Sequence, residues 1–142
     1  MDRLNPAHRS ENMRRIRSRD TVPEMIVRRA VFARGYRYRL HRKDLPGRPD
    51  IVMFSRRLVI FVHGCFWHRH TGCSRCTDPS TRTDFWQAKF AANVARDSRV
   101  RNELERAGWR VETIWECEAR DSRKLARLLD TIFCEDPQFN VT

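Results

Sequence analysis

The chain has 142 residues, 29 Lys and Arg against 18 Asp and Glu, and a formal net charge of +11. That length fits one domain with its own core and is too short for two independent ones. No apolar run nears the roughly 20 residues of a membrane span, the N-terminus Met1-Asp2-Arg3-Leu4 lacks a signal-peptide core, and no segment joins a strong apolar face to a basic one. A soluble intracellular protein is expected. Its excess charge comes mainly from Arg, whose planar fork of donors suits phosphate, so a polyanionic partner such as nucleic acid is expected too.

In chain order, Ser10 followed by Met13 and Ile16 predicts a short basic helix with a serine cap. Thr21-Val22-Pro23-Glu24 starts a second helix with Pro23 in its first turn, and Gly35 ends it as a left-handed cap. Tyr36 to Leu40 alternates apolar and basic residues, the period of a half-buried strand. Two more strands follow, Asp50 to Phe54 and, after a turn at Ser55-Arg56-Arg57, Leu58 to His63. The latter is apolar from Leu58 to Val62 and belongs in the centre of a sheet. Gly64 to Arg82 has no period and reads as a loop that needs its own source of order. Thr83-Asp84 caps a long helix running to about Ala107, Trp109 to Trp115 is a further strand, and Arg123 to Phe133 is a last amphipathic helix. These elements predict a single α/β domain over residues 1–142, with a mixed central sheet flanked by helices. Residues 1–20 form its basic N-terminal segment and 135–142 a flexible tail.

The chemistry concentrates around Leu45-Pro46-Gly47-Arg48-Pro49-Asp50 and His63-Gly64-Cys65-Phe66-Trp67-His68. A carboxylate at the mouth of one strand and two histidines past the end of the next suit metal-assisted cleavage of a phosphodiester. A carboxylate fixes Mg²⁺, and histidines move protons near neutral pH. Asp50 is the metal-ligand candidate; the plainer alternative is a turn entering a strand. On the long helix, Trp86, Phe90, Asn93, Asp97, Val100 and Leu104 share a stripe in which Asn93 and Asp97 interrupt apolar residues. A carboxylate there calls for a partner, either a histidine or a bound cation. The alternative is a rim position paired with Arg96 or Arg101.

Three of the five cysteines, Cys65, Cys73 and Cys76, fall within twelve residues beside His68 and His70, a pattern that in a reducing compartment means metal rather than disulfide. Zn²⁺ takes four such ligands in a closed site. The chosen set is Cys65, His70, Cys73 and Cys117, which would tie the loop to the sheet; Cys76 could replace His70 or Cys73. Phe66 and Trp67 sit in this loop and Trp86 opens the helix beyond it, and rings exposed there can wedge between bases, at least cost beside a mismatch.

Together these residues resemble the very-short-patch mismatch repair endonucleases (Vsr type) of bacteria, a branch of the restriction-endonuclease-like fold. The resemblance rests on Arg9-Ser10-Glu11-Asn12-Met13-Arg14-Arg15-Ile16, Leu45 to Asp50, Phe61 to His68, Thr81-Arg82-Thr83-Asp84-Phe85-Trp86 and Trp115-Glu116-Cys117, spanning roughly residues 9–120. It implies an enzyme that nicks double-stranded DNA 5′ to the thymine of a T:G mismatch left by 5-methylcytosine deamination. It further implies Mg²⁺ held by Asp50 and the backbone carbonyl of Val62, His68 as general base, and His63 and Asp97 around the scissile phosphate. Glu24 would reach the metal-bound water, Zn²⁺ would be structural, and Phe66, Trp67 and Trp86 would insert beside the mismatch. A monomer in the bacterial cytoplasm, acting at the nucleoid, is expected. Mismatch-repair proteins and a cytosine-5 DNA methyltransferase would be its functional partners. The alternatives are a related endonuclease that cuts matched sites, or a zinc-stapled DNA-binding module without catalysis.

Overall fold

In the computed structural model, which describes residues 20–134, a four-stranded mixed sheet carries helices on both faces. The basic helix expected after Ser10 and the tail from Glu135 lie outside the described residues. The elements are α1 (Val22–Ala33), β1 (Arg39–Leu40), β2 (Ile51–Met53), β3 (Leu58–His63), α2 (Thr83–Arg106), β4 (Arg110–Trp115), the short α3 (Glu116–Ala119) and α4 (Ser122–Cys134). Among the described residues no helix is long and apolar enough to cross a membrane.

Helix α1 begins as its residue types dictate. The Thr21 hydroxyl accepts the Glu24 N–H, Pro23 sits where its missing N–H costs nothing, and Gly35 closes the helix at φ +93° with its N–H on the Phe32 carbonyl. The strand expected from Tyr36 shortens to Arg39–Leu40, because its antiparallel partner β2 is only three residues long, bounded by Pro49 and a 3-10 turn at Phe54–Arg56. Tyr36 instead stacks on Phe133, and the Tyr38 hydroxyl donates to the Arg28 carbonyl. Helix α2 starts at Thr83 itself, with Arg82 left-handed before it and no side-chain cap; Asp84 in its first turn faces the positive end of the helix dipole.

The strand order is β1-β2-β3-β4, antiparallel except for the parallel pair β3 and β4, so β3 lies inside the sheet. Alternation along the strands divides the core in two. Ile51, Met53, Leu58, Ile60 and Ile114 pack against Val27 and Val31 of α1 and Leu125, Leu129 and Ile132 of α4. Val52, Val59, Phe61 and Val111 pack on the other face against Val100 and Leu104 of α2. His63, two residues beyond Phe61, continues that second face, which is how the end of β3 comes to look toward α2.

Candidate active site and metal centre

An open cleft of about 1640 Å³ lies between the start of α1, the loop carrying Arg48 and Asp50, the end of β3 and the middle of α2. Asp50 sits at its floor, fixed by the fully buried Pro49. Its Oδ2 accepts the Val62 N–H at 2.7 Å, and its Oδ1 lies 3.7 Å from His41 Nδ1. Burial first, and then the charge of Glu24, push the Asp50 carboxyl up to about 8. The Arg28 guanidinium offsets only part of this pressure, and a hard divalent cation with oxygen ligands would supply the remaining positive charge. The donor set therefore fits Mg²⁺.

Glu24 is 5% exposed, accepts the Asp20 N–H at 2.9 Å, and is paired with Arg28 at 3.0 Å. It belongs to the same neighbourhood as Asp50 through the electrostatic coupling just described.

Across the cleft, His68 Nδ1 lies 2.6 Å from Asp97 Oδ2. The carboxylate is an acceptor, so the ring proton sits on Nδ1 and the lone pair of Nε2 is left for another proton. His63 stacks on His68 with centroids 3.9 Å apart and planes within 6°. Burial, followed by the charges of His68 and Arg101, pushes the His63 imidazole down to about 3, so it stays neutral. Asp97 thus has the histidine partner that its place on the helix stripe called for. The Asn93 amide donates to the Trp67 carbonyl at 3.1 Å and ties the loop to the same helix face.

Cys65, His70, Cys73 and Cys117 bring their ligand atoms within 4.8 Å of one another. His70 Nδ1 lies 3.6 Å from Cys65 Sγ and 3.5 Å from Cys117 Sγ. Tetrahedral Zn²⁺ with ordinary Zn–S and Zn–N bonds separates such ligand pairs by roughly 3.6 Å, so the residues fit that ion. Burial pushes the Cys65 thiol up to about 12 and also raises Cys117, while the Arg75 N–H lowers Cys73. Cys76 is not in the group. His70 stacks on Trp115 at 4.2 Å, fixing the ring against the end of β4. Arg69 bonds the Thr77 carbonyl and Asp78 while lying 4.1 Å over Phe90, which anchors the loop on α2.

Phe66, Trp67 and Trp86 form one half-buried cluster with Phe90. Phe66 meets Trp67 edge-on at 5.0 Å, and Trp67 meets Trp86 at 5.8 Å. Phe66 and Trp67 also line the cleft.

The family model described as DNA mismatch endonuclease Vsr matches residues 1–75. The chain is 52% identical to the type II nicking enzyme V.XorIIP of Xanthomonas oryzae, covering 92% of this chain and 96% of that one. It is 46% identical to the DNA mismatch endonuclease Vsr of Escherichia coli over 84% of this chain and 76% of that one, and 41% identical to the type II nicking enzyme V.NmeAIP of Neisseria meningitidis over 84% and 85%. The chain belongs to the Vsr family of DNA mismatch endonucleases.

Membership in the Vsr family makes the protein a DNA endonuclease with DNA as its substrate. The cleft gathers every residue the sequence singled out for the reaction: Asp50, Val62, His63, His68, Asp97 and, from α1, Glu24. Two residues of that neighbourhood escaped the reading of the sequence, Arg28 and His41. Arg28 had a legible signal. Positions 24, 27, 28 and 31 share one helix face, which puts a charged pair at i, i+4 among buried valines. His41 had a weaker one, its place directly after a strand.

Proposed function

We propose that the protein nicks double-stranded DNA 5′ to the thymine of a T:G mismatch that arises when 5-methylcytosine is deaminated, and so initiates very-short-patch repair. The observation that carries this reading is the pairing, in one cleft, of the Asp50 carboxylate with the His68 and Asp97 dyad. Asp50 and the backbone carbonyl of Val62 would hold Mg²⁺, and the Val62 N–H donated to Asp50 keeps that stretch of β3 against the carboxylate. When bound, the cation supplies Lewis acidity toward the scissile phosphate and neutralises the leaving oxygen.

The side chains do the rest. His68, oriented by Asp97, takes the proton of the attacking water on Nε2. His63 remains neutral beside it, so it can donate a hydrogen bond to a phosphate oxygen without adding a second positive charge to the stack. Glu24, on α1, would act on water brought into the site with the cation. Cys65, His70, Cys73 and Cys117 would hold Zn²⁺, which would order the loop that carries His68. Phe66, Trp67 and Trp86 enter the duplex beside the mispair, where unstacking costs least. A monomer suffices for a one-strand nick. The methyltransferase that creates the methylated site, and the mismatch-repair proteins that handle the product, are functional partners in this reading.

The test is strand-specific nicking of labelled duplexes carrying one T:G pair in a panel of flanking sequences. T:A controls are run alongside, with and without Mg²⁺, for wild type and Asp50→Ala. A Mg²⁺-dependent nick confined to the thymine strand, absent from the control and the variant, is expected. Equal cutting of T:A duplexes would replace the reading with that of a matched-site endonuclease. Binding without any cut in every context would replace it with that of a DNA-binding module.

A further inference from the structure

Beside the metal-ligand candidate lies a group of charged side chains of which the proposed reaction uses only Glu24. Arg28 is 8% exposed and Glu24 5%. One atom of Arg28, Nη2, faces three acceptors: Asp20 Oδ1 at 2.6 Å, His41 Nε2 at 2.8 Å and Glu24 Oε2 at 3.0 Å. Its Nη1 lies 3.2 Å from Met25 Sδ, and its buried Nε has no partner among the described residues. A guanidinium placed only to hold α1 on the sheet would not leave a donor unmatched and crowd three acceptors onto one nitrogen. The placement favours whatever the Nη2 contacts do.

Those contacts define the state of His41. Arginine nitrogens only donate, so His41 Nε2 must present its lone pair, and the ring proton then sits on Nδ1. Nδ1 is the atom 3.7 Å from Asp50 Oδ1. The sheet sets this up: β1 pairs β2 with Leu40 opposite Ile51, and one step further along the same register puts His41 opposite Asp50. His41 holds a left-handed backbone, φ +47°, as its ring turns into the group, a conformation strained for a non-glycine residue. The carboxylates of Glu24 and Asp20 lie 3.4 and 3.8 Å from the Nε2 lone pair, an unfavourable approach that the intervening guanidinium makes tolerable.

We infer that Arg28 and His41 are positioning residues of the nuclease site: the guanidinium fixes Glu24 and the His41 ring, and the ring presents Nδ1–H to Asp50. Neither touches the reacting atoms. They hold the two carboxylates of the cleft at a set separation, and the Nδ1–H faces Asp50 as a 3.7 Å electrostatic contact, close enough to bias the orientation of a metal ligand from one step out. The inference rests on the reading of Asp50 as the ligand of a divalent cation.

The experiment is calorimetric titration of the zinc-replete full chain with MgCl₂, beside nicking rates measured as a function of Mg²⁺. Variants are His41→Phe, His41→Asn, Arg28→Lys and Asp50→Asn, each checked by thermal melting. Phe keeps a planar ring and removes the donor; Asn restores an N–H of similar reach. Lys keeps the charge and loses the planar fork. His41→Phe should weaken Mg²⁺ binding by roughly 10 to 100-fold and raise the half-maximal Mg²⁺ for nicking by the same factor at an unchanged melting temperature. His41→Asn should recover most of this, and Arg28→Lys should lose roughly 10-fold. Wild-type binding by His41→Phe and Arg28→Lys, with binding lost in Asp50→Asn, overturns the positioning role alone. Equal losses in His41→Phe and His41→Asn also overturn it, since the donor would then be immaterial. Wild-type binding by Asp50→Asn removes the metal reading, and this inference with it.

Discussion

The two clusters of candidate ligands are built in opposite ways. Cys65, His70 and Cys73 come from one loop and meet a single distant residue, Cys117, at separations already suited to four ligands around one ion. Asp50, Glu24 and His41 come from three separate elements and meet with their charges unresolved, which burial and proximity register in the raised Asp50 carboxyl. The soft cluster would act as a staple, since its ion would be part of what folds the loop. The hard cluster is a charge imbalance held ready by a framework that stands without the ion. Perturbing the two should therefore give opposite signatures in stability, with nicking lost in both cases.

Removing zinc breaks the staple and should have the largest effect. A zinc-selective chelator with Mg²⁺ in excess is expected to release one equivalent of zinc, lower the melting temperature sharply and abolish nicking. The loop carries His68, and a structural zinc site is worth on the order of 10 kcal/mol in small domains. Cys117→Ser should do the same from the sheet side. An unchanged circular dichroism spectrum, melting temperature and nicking rate after chelation would discard the assigned site.

Asp97→Asn should leave both clusters intact and strike between them. The amide keeps the shape but loses the charge that orients His68 and stabilises it once protonated. Single-turnover nicking should fall by roughly 10²-fold or more, the scale of general-base catalysis, with zinc content and melting temperature preserved. A wild-type rate would mean that the 2.6 Å contact does not orient the base.

How much of each cluster can be read from the sequence follows from the same difference. The soft ligands announce themselves by type, because cysteines crowded beside histidines in a loop without period have few other uses, though the choice against Cys76 needed the geometry. The strands β3 and β4 and the helices α1, α2 and α4 were legible from period and caps. The truncation of β1 was not, because strand length is set by the partner strand, which the alternation of Tyr36 to Leu40 does not contain. Of the hard cluster, only Asp50 is legible from the residue pattern itself. Arg28 and His41 enter it through tertiary placement, and an arginine in a chain with so many carries little signal by itself.

The charge imbalance at Asp50 also has a pH signature in the metal-free protein. The folded carboxyl titrates at about 8, against an ordinary value near 3.8. Below the ordinary value both folded and unfolded chains hold the proton, and nothing is lost. As pH rises from there toward 8, the unfolded chain sheds its proton first, so this group's contribution destabilises the fold progressively. Asp50→Asn should remove that slope and melt several degrees above wild type at pH 8 without Mg²⁺. Mg²⁺ should narrow the gap by stabilising the wild type alone. Parallel melting curves for the two proteins from pH 4 to 8 would show that Glu24 and burial do not press on Asp50 as the structure implies.

The smallest effect is expected where the two sides of the cleft touch. Gly47 holds φ +73°, and a Cβ built there would meet Val100 Cγ1 at 2.4 Å and Cγ2 at 3.1 Å. Its loop leads to Asp50, and Val100 lies one helical turn beyond Asp97, so the missing side chain is what lets the carboxylate side rest on the helix that carries Asp97. Gly47→Ala should cost about 1–3 kcal/mol through overpacking, with a further contribution from the left-handed backbone. That corresponds to a melting temperature several degrees lower and a modest loss of nicking, with zinc content unchanged. Val100→Ala shrinks the obstructing side chain, so the double variant should be less destabilised than the two single losses added together. Strict additivity would mean that the loop moves off the helix, and the spacing between Asp50 and Asp97 would then depend on the rest of the cleft.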